Sequence, residues 1–182
     1  MSASGTANGL HTLLVHAPKT HDHFEPLGAA MSVNYLAVGL PALAANIEHS
    51  GRSVEILHLG VQALAEPGFD LEAEVRRLQP RMVGLSLHWH PQTWDTIQAA
   101  QAIKRGCPSA FVVLGGFTAS IFPEEILRDH PCIDAVIRGD ADHPLVALAE
   151  AIDHDTDLGS VPNLVWRGEE SIQANNTRWT AT

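Results

Sequence analysis

Short apolar runs alternate along the chain with segments of helical periodicity. Five runs rich in Val, Leu and Ile have the length of strands, and each precedes a segment whose apolar residues recur three or four positions apart. Because parallel strands need long crossover connections, this alternation predicts a parallel sheet with helices on both faces. The runs are Thr12–Val15, Val54–Leu59, Arg81–Leu87, Ala110–Gly116 and Asp134–Gly139.

Capping signals mark the ends of the predicted helices. Pro41 suits the first turn of a helix that Gly51 would end, because proline fits the start of a helix and glycine the position after it. Asp70 is placed to accept hydrogen bonds from the first backbone amides of the next helix. Pro123 and Pro144 open two later helices by the same logic.

Together these elements predict an α/β, doubly wound fold of the Rossmann or flavodoxin-like type. We expect a five-stranded parallel sheet of order 2-1-3-4-5, since crossovers are right-handed and cover both faces. Two alternating segments around Arg167–Glu170 predict a C-terminal β-hairpin, with an unstructured tail beyond it. The predicted organisation is a sheet domain over residues 1–160, then a hairpin and tail over 161–182.

Composition narrows the classes of partner. The net charge of −10 argues against a nucleic-acid surface, because phosphate binding needs clustered Lys and Arg. The first ten residues lack a signal-peptide pattern, and the longest apolar run, Leu36–Ala45, is too short to span a membrane. Cys107 and Cys132 belong to no metal-binding motif, so we expect a reducing, cytoplasmic protein without membrane or nucleic-acid contacts.

Most of the unusual residues follow the ends of predicted strands. In open α/β sheets, ligands bind outside the carboxyl ends of the strands where the strand order reverses. The sequence therefore predicts a ligand site along this edge. The residues concerned are His16, Lys19, His21, Asp22, His23, His88, Trp89, His90, Gly115, Gly116, Phe117, Thr118, Arg138, Gly139, Asp140 and Asp142.

A small-residue group marks the middle of that edge. Ser86 ends the third strand, and Gly115-Gly116 ends the fourth. Two glycines remove two side chains, so the neighbouring strand ends would present a slot for a bulky group. The alternative is a tight turn, since connections from strand to helix contain glycine for backbone reasons alone.

Several motifs carry a family resemblance. They lie at Gly51–Leu57, Val83–Ser86, Val112–Ser120, Phe122–Leu127, Ile133–Asp142 and Val161–Gly168. The motifs V-V-L-G-G-x-x-A-[ST], F-P-E-E-I-L and I-D-x-V-[IV]-R-G-[DE]-[GA]-[DE] are specific in combination. On these motifs the chain resembles, over about residues 12–175, the cobalamin-binding domain found at the N-terminus of cobalamin-dependent radical S-adenosylmethionine (SAM) enzymes.

The resemblance implies that the chain binds cobalamin, as methylcobalamin or hydroxocobalamin. In such domains the dimethylbenzimidazole tail leaves cobalt and enters a slot between strand ends, which Ser86, Gly115 and Gly116 would line here. The acidic loop would accept hydrogen bonds from ribose hydroxyls or corrin amides. The implied contacts are Pro18, Lys19, His21, His23, Ser86, Leu87, His88, Trp89, Gly115, Gly116, Phe117, Thr118, Arg138, Gly139 and Asp140.

Two departures from related proteins shape the functional prediction. The D-x-H-x-x-G motif that supplies a cobalt ligand in methionine synthase is missing, as it usually is in the radical SAM members. The resemblance places His21 and His23 in the loop that faces the corrin, and an imidazole from either is the candidate axial ligand. No C-x-x-x-C-x-x-C motif exists, so we expect no catalysis by this chain alone. SAM and a [4Fe-4S] cluster would belong to a radical SAM catalytic domain, present in cis or in trans, which would use methylcobalamin for methyl transfer.

Other interpretations stay open from sequence. Solvated surface histidines would also explain His21 and His23, His88 is either a ligand contact or a capping residue, and Trp94 is either a core or an interface residue. Asp142 would be an ordinary helix cap if the acidic loop binds nothing.

Two other functions compete with cobalamin binding at the level of sequence. The main rival is a histidine-rich metal-binding protein or hydrolase that uses the loops after the first and third strands, with ligands among His16, His21, His23, His88 and His90. A receiver domain is disfavoured, because the third strand ends in Ser86-Leu87-His88 and offers no aspartate there.

Overall fold

The computed structural model describes residues 9–17, 38–176 and 178–181. Within these ranges no helix has the length and apolar character needed to cross a membrane. The strands are β1 (Thr12–His16), β2 (Val54–His58), β3 (Met82–Ser86), β4 (Phe111–Gly115), β5 (Ala135–Ile137), β6 (Leu164–Arg167) and β7 (Ile172–Ala174). The helices are α1 (Gly39–His49), α2 (Leu59–Ala65), α3 (Leu71–Leu78), α4 (Thr93–Gly106), α5 (Phe117–Ile121), α6 (Pro123–Asp129) and α7 (Asp142–His154), with 3₁₀ turns at His90–Gln92 and Leu158–Ser160.

All seven strands form one sheet in the order β2-β1-β3-β4-β5-β6-β7. The first five pair in parallel, which confirms the predicted order of 2-1-3-4-5. The predicted C-terminal hairpin is β6 and β7, and it extends the same sheet through antiparallel pairing of β6 with β5.

Alternate residues of the central strands pack into two apolar layers, one on each face of the sheet. Leu13 and Val15 of β1 pack on the face covered by α3, α4 and α6, in one cluster with Ile103. Leu14 points to the other face and packs in a cluster with Leu148, under α1 and α7. This two-sided burial explains why the strands read as continuous apolar runs.

Asp70, Pro123 and Gly51 mark the ends of helices where the sequence predicts them. The Asp70 carboxylate accepts hydrogen bonds from the backbone amides of Glu72, at 2.9 Å, and Ala73, at 3.3 Å. Pro123 is the first residue of α6. Gly51 follows the end of α1 with a φ of +85°, a left-handed conformation that glycine adopts without strain.

Two helices are absent from the sequence prediction, namely α2 and α5. They span 7 and 5 residues, too few to show a helical period in the sequence. The predicted second strand also ends one residue early, because the His58 imidazole Nδ1 accepts a hydrogen bond from the Val61 amide at 3.2 Å and caps α2.

An ionic cluster joins α7 to the amino end of the sheet. The Asp153 carboxylate accepts from Arg52 Nε at 2.7 Å, lies 3.1 Å from His11 Nε2 and also accepts from Arg81. Burial acts to raise the pKa of Asp153, but the Arg52 hydrogen bond and the charges of His11, Arg52 and Arg81 hold it below its ordinary value. The amino end is therefore closed by paired charges.

The contact between α3 and α4 generates a prediction about stability. A Cβ atom at Gly106 would lie 2.5 Å from the carbonyl oxygen of Glu72, so Gly106→Ala must push the two helices apart. We expect it to lower the free energy of unfolding by about 1–3 kcal/mol in urea titrations. The matched control is Gly39→Ala, because nothing lies within 4 Å of a Cβ atom at Gly39. Equal effects of the two substitutions would contradict the close approach.

Candidate functional site

A cavity of about 250 Å³ opens at the carboxyl ends of β3, β4 and β5, on the face covered by α1 and α7. We call it the slot. Most of its wall is glycine or aliphatic side chain, and polar groups are few, so its interior suits a flat apolar group. The lining residues are Gly39, Leu40, Ala42, Leu43, Gly84, Leu85, Ser86, His88, Val113, Leu114, Gly115, Gly116, Ile137, Gly139, Asp140, Ala141, Asp142 and Leu145.

The two glycines at the end of β4 are suited to their positions for different structural reasons. A Cβ atom at Gly115 would meet nothing within 4 Å, so this glycine leaves open space inside the slot. Gly116 has a φ of +107°, and its Cβ atom would lie 2.7 Å from the Leu87 carbonyl oxygen. The tight-turn interpretation therefore holds for Gly116, and the open-slot interpretation holds for Gly115.

A buried histidine at the end of β1 lies beside Ser86, the polar residue at the end of β3. Ser86 ends β3, and its Oγ atom is 2.9 Å from Nδ1 of His16 at the end of β1. The His16 ring is 0% exposed and lies 4.6 Å from the His58 ring, centroid to centroid. Burial, together with the nearby His58 and His88, lowers the pKa of His16 to about 4, so the imidazole is neutral at pH 7.

The acidic loop borders the mouth of the slot between β5 and α7. Asp140 and Asp142 both line the slot. Asp142 is the first residue of α7, and its carboxylate accepts from Asn46 of α1 at 3.3 Å rather than capping the helix. Arg138 donates to the Asn175 carbonyl at 3.0 Å, toward the C-terminal hairpin, and does not line the slot.

The segment after the hairpin packs against this loop, which corrects the prediction of an unstructured tail. Asn163, at a φ of +61°, donates through Nδ2 to the carbonyls of Asp140, at 3.1 Å, and Trp179, at 2.8 Å. Its Oδ1 atom accepts from the Trp179 amide at 2.9 Å, and the Ala181 amide donates to the Asp140 carboxylate at 3.0 Å. One asparagine thus joins the tail to the wall of the slot.

Large exposed apolar residues follow the ends of β3 and β4 in the chain. Trp89 is 58% exposed, Trp94 59% and Phe117 70%, and we call them, with Ile121 and Phe122, the apolar rim. The high exposure of Trp94 excludes a core role for it. Trp89 and Phe117 directly follow His88 and Gly116, which line the slot, and large exposed apolar groups near a cavity are typical of binding surfaces.

The structure brings together only part of the predicted site. Leu87 is fully buried on the opposite face of the sheet, and Thr118 donates to the His88 carbonyl at 2.9 Å and shapes the turn. Trp89, Phe117 and Arg138 lie near the slot without lining it, and Pro18, Lys19, His21 and His23 lie outside the described residues. The predicted residues that line the slot are Ser86, His88, Gly115, Gly116, Gly139, Asp140 and Asp142.

Sequence reasoning missed the helical walls of the slot. Leu40 and Leu43 of α1 and Leu145 of α7 close it from the side. Their amphipathic pattern shows only that the helices pack on a sheet, and an apolar residue beside a cavity has the same sequence signature as one in the core.

A metal site lacks support in the described part of the chain. No group of three or more His, Cys, Asp or Glu residues there is placed to hold a metal ion. His16 is buried against Ser86, whereas His90 is exposed in the 3₁₀ turn after β3. The rival metal-binding or hydrolase function therefore gains no support from His16 and His90. Of its other three candidate ligands, His88 lines the slot, and His21 and His23 lie outside the described residues.

Comparison with known proteins identifies similar sequences. The family model of the B12 binding domain matches residues 26–149. An uncharacterised methyltransferase, PH0819, of Pyrococcus horikoshii is 28% identical over 104 residues, which is 57% of this chain and 22% of that protein. Hopanoid C-3 methylase of Methylococcus capsulatus is 26% identical over 130 residues, which is 70% of this chain and 24% of that protein. The matches thus span less than a quarter of these relatives.

A solved structure shows the same fold. It is the radical S-adenosylmethionine methyltransferase TsrM from Kitasatospora setae, with cobalamin and a [4Fe-4S] cluster bound. The TM-score is 0.77 at 20% sequence identity, over 96% of this chain and 30% of TsrM.

The buried His16 generates a prediction about pH. Its pKa falls from 6.5 to about 4 on folding, so within this range the unfolded chain binds a proton that the folded chain does not. The free energy of unfolding should therefore fall as pH decreases from 6.5 toward 4, with a contribution from His16 of the order of 3 kcal/mol.

Urea unfolding at a series of pH values measures this contribution. His16→Asn removes the titrating group and should flatten the dependence on pH, while Asp153 and His11 continue to titrate in both proteins. Parallel curves for the wild-type protein and the variant would contradict the assigned role of His16.

Proposed function

The chain belongs to the B12 binding domain family, and from this premise we propose that it binds one molecule of cobalamin with the nucleotide tail in the slot. The observation that carries the proposal is the open space at Gly115, between the ends of β3 and β4 and the helices α1 and α7. A parallel sheet has no general need for such a gap, because side chains normally fill the strand ends.

The chemistry of the slot fits the tail. Dimethylbenzimidazole is a flat aromatic group with one free ring nitrogen, and it would lie between aliphatic walls with the Ser86 hydroxyl within the slot. The carboxylates of Asp140 and Asp142 lie at the mouth, where they would accept hydrogen bonds from ribose hydroxyls. The apolar interior of the slot would thus hold the benzimidazole, and the polar mouth would contact the ribose.

The apolar rim would support the corrin ring. A corrin is a wide disc with apolar edges, and Trp89 and Phe117 expose large aromatic surfaces beside the mouth of the slot. Part of the same surface remains available for a partner domain. A lower cobalt ligand from His21 or His23 stays a prediction, since both lie outside the described residues.

We further propose that the chain is the cofactor-carrying domain of a cobalamin-dependent radical SAM methyltransferase. The relatives named above include two methyl-transferring proteins that are much longer than the matched region. With only two cysteines, this chain cannot supply the three thiolates of a C-x-x-x-C-x-x-C cluster motif, so a catalytic domain in cis or in trans would hold the [4Fe-4S] cluster and SAM. When bound, cobalamin supplies a cobalt centre that carries a methyl group.

The open space at Gly115 generates a prediction about ligand binding. In Gly115→Val the Cβ atom would meet nothing within 4 Å, and the branched side chain would extend into the slot. We expect the variant to fold with near-normal stability, to lose most of its affinity for hydroxocobalamin, and to keep its affinity for cobinamide, which lacks the nucleotide tail. Absorption titration of the cobalt chromophore measures both affinities.

The matched control is Gly9→Val at the amino end of the sheet, where a Cβ atom would make an ordinary contact of 3.5 Å with the Gln79 carbonyl. It should bind both cobalt compounds like the wild-type protein. Unchanged cobalamin affinity in Gly115→Val would exclude the slot as the tail site.

A further inference from the structure

Ser86 has a special position in the slot. Among the described residues that line it, Ser86 has the only hydroxyl group, and this hydroxyl also contacts His16, which lies beside it on β1 on the same face of the sheet. A hydroxyl has a single proton, so it donates either to His16 Nδ1 or to a ligand. The neighbouring His16 therefore decides what Ser86 offers to the slot.

The tautomer of the neutral His16 imidazole determines whether Ser86 donates to His16 or to the ligand. A neutral imidazole carries its proton on one ring nitrogen and a lone pair on the other. If Nδ1 holds the proton, it donates to Ser86 Oγ, and the serine proton turns into the slot. If Nδ1 holds the lone pair, Ser86 donates to His16 Nδ1 and presents only lone pairs to the ligand. Burial lowers the pKa of His16 to about 4 and so maintains the neutral ring.

We propose that His16 is a positioning residue that donates from Nδ1 to Ser86 Oγ and so directs the Ser86 hydroxyl proton to an acceptor nitrogen of the ligand in the slot. This inference rests on the proposed function. A benzimidazole released from cobalt has one unsubstituted ring nitrogen, which carries a lone pair and no hydrogen, so it pairs with a donor only. If His16 Nδ1 carried the lone pair, Ser86 would donate to His16, and its oxygen lone pairs would face the acceptor nitrogen of the ligand.

Three substitutions isolate this role. His16→Asn keeps a side-chain N–H at the position of Nδ1, His16→Leu removes it, and Ser86→Ala removes the hydroxyl. We expect His16→Leu to weaken cobalamin binding by up to about tenfold, because the Ser86 proton is then no longer held toward the ligand, and to leave cobinamide binding unchanged. His16→Asn should restore most of the affinity.

A double variant and a control complete the test. Ser86→Ala removes the donor itself and should lose at least as much affinity as His16→Leu, which only frees the hydroxyl to rotate. Adding His16→Leu to Ser86→Ala should cause no further loss, because His16 acts only through Ser86. The control is His11→Asn, since His11 is a second buried histidine beside the opposite end of β1 and pairs with Asp153. It should leave the ratio of cobalamin to cobinamide affinity unchanged.

The outcomes separate the two proposals. Failure of the wild-type protein to bind cobalamin would overturn the proposed function. Normal wild-type binding with equal losses for both compounds in His16→Leu, or no loss in either, would overturn the role of His16 alone. If His16→Leu does not fold, ring-nitrogen chemical shifts of ¹⁵N-labelled wild-type protein bound to hydroxocobalamin report the protonated nitrogen directly. An Nε2–H form of His16 would overturn the proposal.

Discussion

The candidate site depends on the parallel register of the three central strands. β3 pairs with β4 so that Ser86 is opposite Gly115, and β1 pairs with β3 so that Val15 is opposite Leu85. This register brings the hydroxyl, the missing side chain and the buried imidazole of His16 together at one end of the sheet. A shift of one residue would turn each side chain to the other face and close the slot.

The carboxylates at the two ends of the sheet have different kinds of hydrogen-bond partner. At the amino end, Asp153 pairs with Arg52 and Arg81 and contacts the His11 ring, and these contacts hold α7 in place. At the carboxyl end, Asp140 and Asp142 border a cavity and accept only neutral backbone or amide donors in the described structure. The ion-pair cluster and the cavity thus lie at opposite ends of the same strands, and the carboxyl end is where ligands bind in open parallel α/β folds.

The wall of the slot is connected to a distant part of the chain. Asn163 links the Asp140 carbonyl to Trp179, and Ala181 contacts the Asp140 carboxylate. A ligand that hydrogen-bonds to Asp140 would therefore act on residues that also hold the C-terminal segment. The left-handed conformation of Asn163, which asparagine tolerates better than most residues, makes this geometry possible.

The sequence by itself determined the strands, most helices and the edge where the site lies, because apolar periodicity and capping residues such as Asp70 act over a few neighbouring positions. It also identified Ser86 and Gly115 through local motifs. Only the tertiary structure separated the open space at Gly115 from the backbone requirement at Gly116, and only it supplied Leu40 and Leu145 as walls. These features depend on contacts between residues far apart in the chain, such as His16 with Ser86, and strand register and helix packing create such contacts without leaving a local pattern.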